Sequence, residues 1–516
     1  MPGASHIVYS GKGDTRYASV MRSIRTGRNT RKQQVHYLGR VLDAERGIYK
    51  NKERGVFVFD LKTMTFSAAP ADFVDTTKRQ NAREELIVDF GDAFLFDQLI
   101  KRYNLAPAIE AIDYGNPDSL RALLLYYMLS SRSNQHALTW FEGSYARILY
   151  PKANLTSQRI SDLLAAIGRE DTMQRFFHAY LPLLGSDVRE GANILIDSTG
   201  LPNSIHFPLT AVSNHNGIIS EEIRLIYVVQ QGSRLPIYMR YIPGNIVDAS
   251  TLVTTVKELK AVGVNTKFAI LDAGYLTEEG MQELTGEKIS FITRCPSNRR
   301  IYKDLISVHM EGLVASENLA LDSNGRLFNG RRVYMKCVPV KNYMGMELYA
   351  YIGKDMTAAS LEDKQYAHRI HGSGEKVDRT IFHDELIQHG VFMLLSTRRV
   401  RAEELLSTYY VRQEIEQVFD IAKNYASLLP LFIEKEENLR GHLLLTFIAI
   451  AVLQTLQLEI RASKYSIDAV LSNMANQHAK IFQRVVIPSE PTRIQNDIYK
   501  LLKVHPAKEY PRVGNF

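Results

Sequence analysis

The chain has 516 residues, 45% hydrophobic and 23% charged, with a formal net charge of +7. That balance is enough for large buried cores and excludes a disordered or fibrous chain, while two cysteines, Cys295 and Cys337, exclude a disulfide scaffold or a clustered zinc site. The length predicts two to four domains. The charge is unevenly placed: residues 1–54 hold 12 Lys or Arg against four acids, a local +8, which leaves the rest of the chain close to neutral. A basic arm on a neutral body points to a phosphate-rich partner, nucleic acid before others. The N-terminus lacks the apolar core of a secretory signal, so a reducing, cytoplasmic setting is expected.

In chain order, residues 15–42 alternate apolar and polar side chains about a TGRN turn and predict a basic β-hairpin. Its cations Arg22, Arg25, Arg28, Arg31 and Lys32 are candidate DNA contacts, and GVFVFD at 55–60 adds a strand, so 1–65 is taken as one arm. From 90 to 185 the apolar period becomes helical, giving an all-helical domain. LTSQRISDLLAAIG within it resembles the second helix of a helix-turn-helix, with Ser157, Gln158 and Arg159 towards DNA; a plain helical bundle is the alternative. Residues 190–296 then read as ANILIDSTG, IRLIYVVQQ and LPIYMRYIPGN in a three-strand meander, followed by helix–strand units through KFAILDAGY and SFITRC, which argues for a mixed α/β sheet. Residues 297–388 are irregular, with strand-like RRVYMKCVPV and MELYAYIGK and a charged helical or mobile stretch, and look inserted. GVFMLLST resumes a buried strand at the start of the segment 389–465, which closes with GHLLLTFIAIAVLQTLQLEI. Its unbroken apolar part is too short for a span, so a buried core helix is expected rather than a membrane segment. The tail, 466–516, is basic and proline-punctuated, and nothing in it assigns a role.

The chemistry concentrates in TYYVRQEIEQVFDIAKNY, residues 408–425. As one helix, at about 100° per residue, it gathers Tyr409, Arg412, Glu416 and Lys423 within about 60° of one another, and sets Ile415, Val418, Phe419 and Ala422 on a separate apolar stripe. Glu414 falls on the far side and Asp420 close by, as the reserve acid. Asp197 and Asp272 each stand where an apolar strand run ends. If those strands are neighbours, the two carboxylates meet at the sheet rim with Glu416 as a third. An all-oxygen set of this kind suits hard cations such as magnesium or manganese, and two such ions can serve in-line phosphoryl transfer. Taken singly, each aspartate reads equally as a turn or cap residue, and the helix as an amphipathic one with a solvated charged face. His206 and His215 have no partner set and read as loop residues.

Tyr409, Arg412, Glu416 and Lys423 match Y-x2-R-x3-E-x6-K. With ILIDSTG, AILDAGY, PGN at 243–245 followed by Asp248, HGVFMLLST and GHLLLTFIAIAVL, the chain resembles the DDE transposases of the insertion-sequence-four superfamily, and HYLGR resembles its long-transposase branch. The resemblance implies an RNase H-like mixed-sheet catalytic core interrupted by a mainly β insertion before the glutamate, preceded by the basic hairpin and a helical DNA-binding domain. It implies that Asp197, Asp272 and Glu416 hold two Mg²⁺ ions, with Mn²⁺ as a substitute, and that Tyr409, Arg412 and Lys423 grip phosphates beside the cut. The partners implied are double-stranded DNA, as terminal inverted repeats and target, and a second copy of the chain in a synaptic homodimer within the bacterial cytoplasm. Relatives carry a tryptophan in the insertion for hairpin formation. Here Trp140 lies in the helical segment, leaving Tyr302, Tyr334 or Tyr343 to replace it. Two other readings compete: a transposase-derived DNA-binding protein that no longer cuts, and an RNase H-like nuclease without strand transfer.

Overall fold

In a computed structural model the chain is described from residue 4 to 512, except 12–15, 27–28, 71–72, 74–85, 186–187, 189–190, 204–208, 216–217, 247–249, 323, 374–385, 411, 430 and 432. It divides into two compact units, residues 1–85 and 86–516.

The first unit is an antiparallel sheet in sequence order: β1 (Ser5–Ser10), β2 (Tyr17–Thr26), β3 (Asn29–Asp43), β4 (Ile48–Asn51), β5 (Gly55–Asp60) and β6 (Thr65–Ala68). The expected hairpin is β2–β3, paired from Tyr17↔Arg40 to Thr26↔Asn29. The strands around it, unread in the sequence except for GVFVFD, supply a separate core of Ala18, Val20, Leu38, Tyr49, Phe57 and Phe59. Alternation puts these on one face of the pleat, and burying that face is what makes so small a sheet stable.

The second unit opens with β7 (Leu86–Asp89) and a helical segment: α1 (Gly91–Arg102), α2 (Ala106–Glu110), α3 (Pro117–Leu129), α4 (Ala137–Gly143), α5 (Ala146–Leu149), α6 (Ser157–Ile167) and α7 (Glu170–Tyr180). A mixed sheet follows. Its meander is β8 (Ala192–Pro202), β9 (Ala211–His215), β10 (Ile218–Gln230) and β11 (Pro236–Pro243); after α8 (Leu252–Ala261), β12 (Thr266–Leu271) lies parallel to β8. Beyond α9 (Glu278–Gly286) come β13 (Ser290–Arg294), α10 (Arg300–His309), β14 (Val333–Tyr343), β15 (Met346–Asp355), α11 (Met356–Ser373) and β16 (Val391–Ser396). The strand order is β11-β10-β8-β12-β13-β16-β15-β14, with β9 on β10. The stretch expected as an insertion therefore does not stand apart: β16 pairs with β13 on one side and β15 on the other, so β14 and β15 lengthen the same sheet. Pairing on both edges satisfies the backbone of this buried strand.

The chain closes with α12 (Ala402–Tyr410), α13 (Gln413–Asn424), α14 (Glu436–Ile460), α15 (Ile467–Ala475), β17 (His478–Ile481), β18 (Val485–Pro488), α16 (Arg493–Leu501) and β19 (Tyr510–Pro511). The tail that carried no sequence signal forms a sheet with β7, in the order β19-β18-β17-β7, and so ties the two ends of this unit together.

Helix α14 is long and apolar enough to cross a membrane, but 78% of its apolar window is buried within the protein, as expected of a core helix. Glycine lets it sit this close to α6: a Cβ on Gly441 would lie 2.0 Å from the Leu164 carbonyl oxygen, and one on Gly168 would lie 1.9 Å from that of Glu437. Only bare backbone fits at either point. Buried His442 fastens the same helix to α3. Burial pushes its imidazole down to about 4, so the neutral ring donates from Nε2 to Leu428 O (3.3 Å) and accepts at Nδ1 from the Tyr127 hydroxyl (2.7 Å).

An imidazole that titrates near 6.5 when unfolded and near 4 when folded stabilises the fold above the unfolded value and loses that contribution as pH falls from about 6.5 to about 4, by roughly 3 kcal/mol in all. Denaturant titrations at pH 7 and pH 5 should show a smaller pH-dependent loss for His442→Gln than for the parent chain; an equal loss would place the acid sensitivity elsewhere.

Candidate active site

Strands β8 and β12 are parallel neighbours in the register Ile196↔Leu271, so the next residues, Asp197 and Asp272, emerge side by side. The expectation that both aspartates end their strands holds for one. Asp272 follows the last residue of β12 and opens a short 3₁₀ turn, Ala273–Tyr275, with its carbonyl accepting from Tyr275 N and from Thr293 Oγ1. Asp197 lies inside β8, which continues to Pro202 because β10 keeps pairing with it, Tyr227 opposite Asp197. On its other side, pairing with β12 ends one residue earlier, at Ile196↔Leu271.

Both aspartates reach one cation. Arg412 Nη2 lies 3.7 Å from Asp197 Oδ2 and Nη1 lies 3.2 Å from Asp272 Oδ1, with all three side chains partly buried. Burial works against the guanidinium charge, but the Asp272 and Asp197 carboxylates outweigh it and hold Arg412 above its usual value. Asp197 Oδ1 also accepts from Ser198 N at 2.9 Å. Tyr409 lies beside this group. Burial raises its phenol, and the charges of Arg412 and Arg294 moderate the rise. The Tyr409 hydroxyl and Arg412 Nε are buried with no hydrogen bond of good geometry among the described residues, each having the other side chain as its polar neighbour. Orphaned donors of this kind are costly and mark a place where a ligand oxygen would be welcome.

The single helix expected over 408–425 is two helices. α12 ends at Tyr410, and Arg412 caps α13 with an i→i−3 bond from its N–H to Tyr409 O (2.9 Å). The run Thr-Tyr-Tyr-Val is poor helix sequence, and Tyr410 is drawn away by its own partners: its hydroxyl donates to buried Asp355 Oδ2 (3.2 Å), which Arg331 also pairs (3.3 Å), and its ring stacks on Phe328. This clamp fixes the junction from which Arg412 projects. Beyond the break the helical wheel holds: Ile415, Val418, Phe419 and Ala422 are all buried, and Phe419 packs on Tyr227, the residue opposite Asp197.

Glu416 follows Arg412 by one turn, on the same side of α13. It is exposed, and among the described residues no three His, Cys, Asp or Glu side chains stand together as a metal site. The two aspartates and Arg412 are thus brought together, and Glu416, one helical turn beyond Arg412, is not part of that group. Lys423 is half-buried on the same helix, without an ion pair among the described residues; Asp420, the reserve acid, is exposed and accepts from Asn424 Nδ2 (2.6 Å). Arg294 was not singled out in the sequence, yet it ends β13 beside Asp272 and its charge acts on Tyr409. The available signal was a cation closing an apolar strand run next to the Asp272 strand.

The other sequence candidates fall elsewhere. Arg25, Arg31 and Lys32 are exposed on the β2–β3 hairpin, Arg22 donates to Ser5 Oγ (3.2 Å), and Arg28 lies outside the described residues, as do His206 and Asp248; the His215 side chain is likewise not described. Arg159 and Gln158 both engage Asp162, at 3.3 Å and 2.9 Å. Trp140 packs edge-on against Tyr126, and Tyr302 spends its hydroxyl on Val391 O.

A family model described as transposase DDE domain matches residues 194–452, from the third residue of β8 to the middle of α14. The chain belongs to the transposase DDE domain family. The matched span of this DDE protein takes in Asp197, Asp272, Arg412 and Glu416 and leaves out the N-terminal sheet and the helical segment. No curated protein matches the chain. Among solved structures, it is similar to that described as the cryo-EM structure of piggyBac transposase synaptic complex with hairpin DNA, at 12% identity over 75% of this chain and 79% of that one, with a TM-score of 0.37, too loose a likeness to relate individual residues.

Because Arg412 is the shared counter-charge of two partly buried carboxylates, Arg412→Gln leaves both uncompensated and is expected to cost about 1–2 kcal/mol of stability. A thermal melt reads this directly; an unchanged midpoint would mean that the two ion pairs contribute nothing to the fold.

Proposed function

We propose that this chain is the transposase of a bacterial insertion sequence of the insertion-sequence-four superfamily, long-transposase branch, acting in the cytoplasm on nucleoid DNA. In this reading it binds the terminal inverted repeats of its element as a homodimer and carries out metal-dependent strand cleavage and strand transfer. The observation that carries it is the convergence of Asp197 and Asp272, from adjacent parallel strands, on a guanidinium one helical turn from Glu416, within a DDE domain.

A divalent metal fits these residues. Two carboxylates already share one cationic group, all candidate ligands are hard oxygens, and the buried donors beside them make no hydrogen bond of good geometry among the described residues. Asp197, Asp272 and Glu416 would hold Mg²⁺, which when bound supplies charge stabilisation for the attacking and departing oxygens of a phosphodiester. The protein's own part is to place the DNA. Arg412, released from the aspartates, turns Nη1, Nη2 and the orphaned Nε to a phosphate; Tyr409 offers its buried hydroxyl to a neighbouring oxygen; Lys423, three turns along α13, meets the backbone further on. Hydrolysis of the phosphodiester at the element end leaves a 3′ hydroxyl, which then attacks a target phosphodiester while the target's own 3′ oxygen departs. The RNase H-like description of the core, with β14 and β15 as a modification of its edge, belongs to the same proposal.

One observation favours a second reading, a DNA-binding protein that does not cut. Glu416 faces solvent, and Arg412 occupies the space between the aspartates. Incubating the protein with DNA carrying the flanks of its gene and Mg²⁺, then mapping broken strands, separates the readings: paired cuts at the element ends with joining support transposition, cuts without joining support a nuclease, and intact DNA despite tight binding supports the silent protein.

Glu416→Gln should retain end binding in a gel-shift assay and lose metal-dependent cleavage by at least a hundredfold; full cleavage would move the role to Asp420. Since residues 1–54 carry the local +8, deleting them should weaken DNA affinity and reduce the slope of log K against log salt by several units. An unchanged slope would remove the arm from the interface.

A further inference from the structure

The N-terminal sheet has two unlike faces. One holds the core, and the sheet curls around it: His36 of β3 meets Phe59 and Phe66 of β5 and β6, with ring centroids 5.8 Å and 5.3 Å apart. The outward face carries aromatic rings without cover. Tyr17 is 41% exposed and Tyr37 is 52% exposed, and neither side chain has a hydrogen bond, ion pair or ring contact among the described residues. A bulge brings the two to the same face. Residues three apart on a regular strand point to opposite sides, but β3 shifts register between its Ala18 and Ser19 partners, so that Arg40 pairs with Tyr17 and Tyr37 pairs with Ser19. Gly39 makes the shift, with φ of +83° and no room for a Cβ, which would lie 2.2 Å from Lys50 O.

The neighbours of these rings are small or cationic, apart from the exposed Val8. Across the sheet, Ser10, Tyr17, Arg40 and Lys50 form one row and Val8, Ser19 and Tyr37 the next. Ser10 beside Tyr17 and Ser19 beside Tyr37 leave one flank of each ring uncrowded, and farther along the same face stand Arg25 and Lys32, both exposed. An aromatic residue left open on a sheet face is normally a liability. Set among cations within residues 1–54, which carry a local +8, it has the composition of a surface that follows a phosphate backbone and stacks bases.

We infer that this face binds single-stranded DNA, with unpaired bases stacking on Tyr17 and Tyr37 and Arg40, Lys50, Arg25 and Lys32 drawing in the backbone. In a duplex the base faces are already stacked on each other, so the cations engage it and the tyrosines add nothing. Diagonal positions on adjacent strands are about 7–8 Å apart, within reach of one extended strand that lays neighbouring bases on both rings. The stacking site does not depend on the carboxylates of the DDE domain. The choice of DNA over RNA rests on the proposed function, in which cleavage exposes unpaired strands.

The test uses the full chain and three labelled 20-mers, oligo(dT), a mixed-sequence DNA duplex and oligo(U), with fluorescence anisotropy as the readout. The variant Tyr17→Ala/Tyr37→Ala should lose about tenfold or more in affinity for oligo(dT) and stay within about twofold on the duplex. Tyr17→Phe/Tyr37→Phe, which keeps the rings, should bind oligo(dT) like the parent chain. Unchanged oligo(dT) affinity in the alanine variant overturns the inference, as does an equal loss on the duplex, which would mean that the sheet itself had been damaged. Tighter binding of oligo(U) than of oligo(dT) overturns the assignment to DNA.

Discussion

Two strands running parallel in one register determine what the rest of this protein must do. With Ile196 opposite Leu271, the residues that follow are both aspartates, and they stand at the same level, Asp197 still within β8 and Asp272 just past the end of β12. Two carboxylates that near to one another, and partly withdrawn from water, repel unless a positive charge lies between them. In this structure the charge is Arg412, held by both. A guanidinium is a planar donor that can also serve phosphate, so under the proposed function the group that neutralises the acids at rest is also the one suited to change partners.

Much of the surrounding architecture positions that arginine. Tyr410 is pulled into the Asp355–Arg331 clamp at the edge of β15, which breaks the helix just before Arg412. After the break, Ile415, Val418 and Ala422 are fully buried and Phe419 lies on Tyr227, so α13 rests on the strand opposite Asp197. Behind it α14 is buried along most of its length and held to α6 by backbone-on-backbone contact at Gly168 and Gly441. The strands β14 and β15 therefore have a structural part: they widen the sheet and supply the carboxylate that anchors the α12–α13 junction.

The N-terminal unit obeys different physics. Its stability comes from one face of a curled antiparallel sheet, and the opposite face is free to carry cations and rings that the core does not need. The DDE family span begins well after it, at residue 194. One unit presents carboxylates and the other positive charge.

Local pattern determined a good deal. Apolar runs gave the strands of Asp197 and Asp272 and their common sheet, the 3.6-residue period gave the buried stripe of α13 and the core helix α14, and the lysine and arginine count located the basic hairpin. These are properties of neighbouring residues, and sequence records neighbours. The tertiary structure decided where long-range partners override local preference. β8 runs past Asp197 because β10 continues to pair with it; the helix breaks at Tyr410 because a buried aspartate 55 residues earlier claims its hydroxyl; the tail becomes a sheet because β7, nearly 400 residues away, offers it an edge. Arg294 and the outward Tyr17 and Tyr37 escaped notice for the same reason: a strand end and a one-residue bulge acquire meaning only when the strand beside them is known.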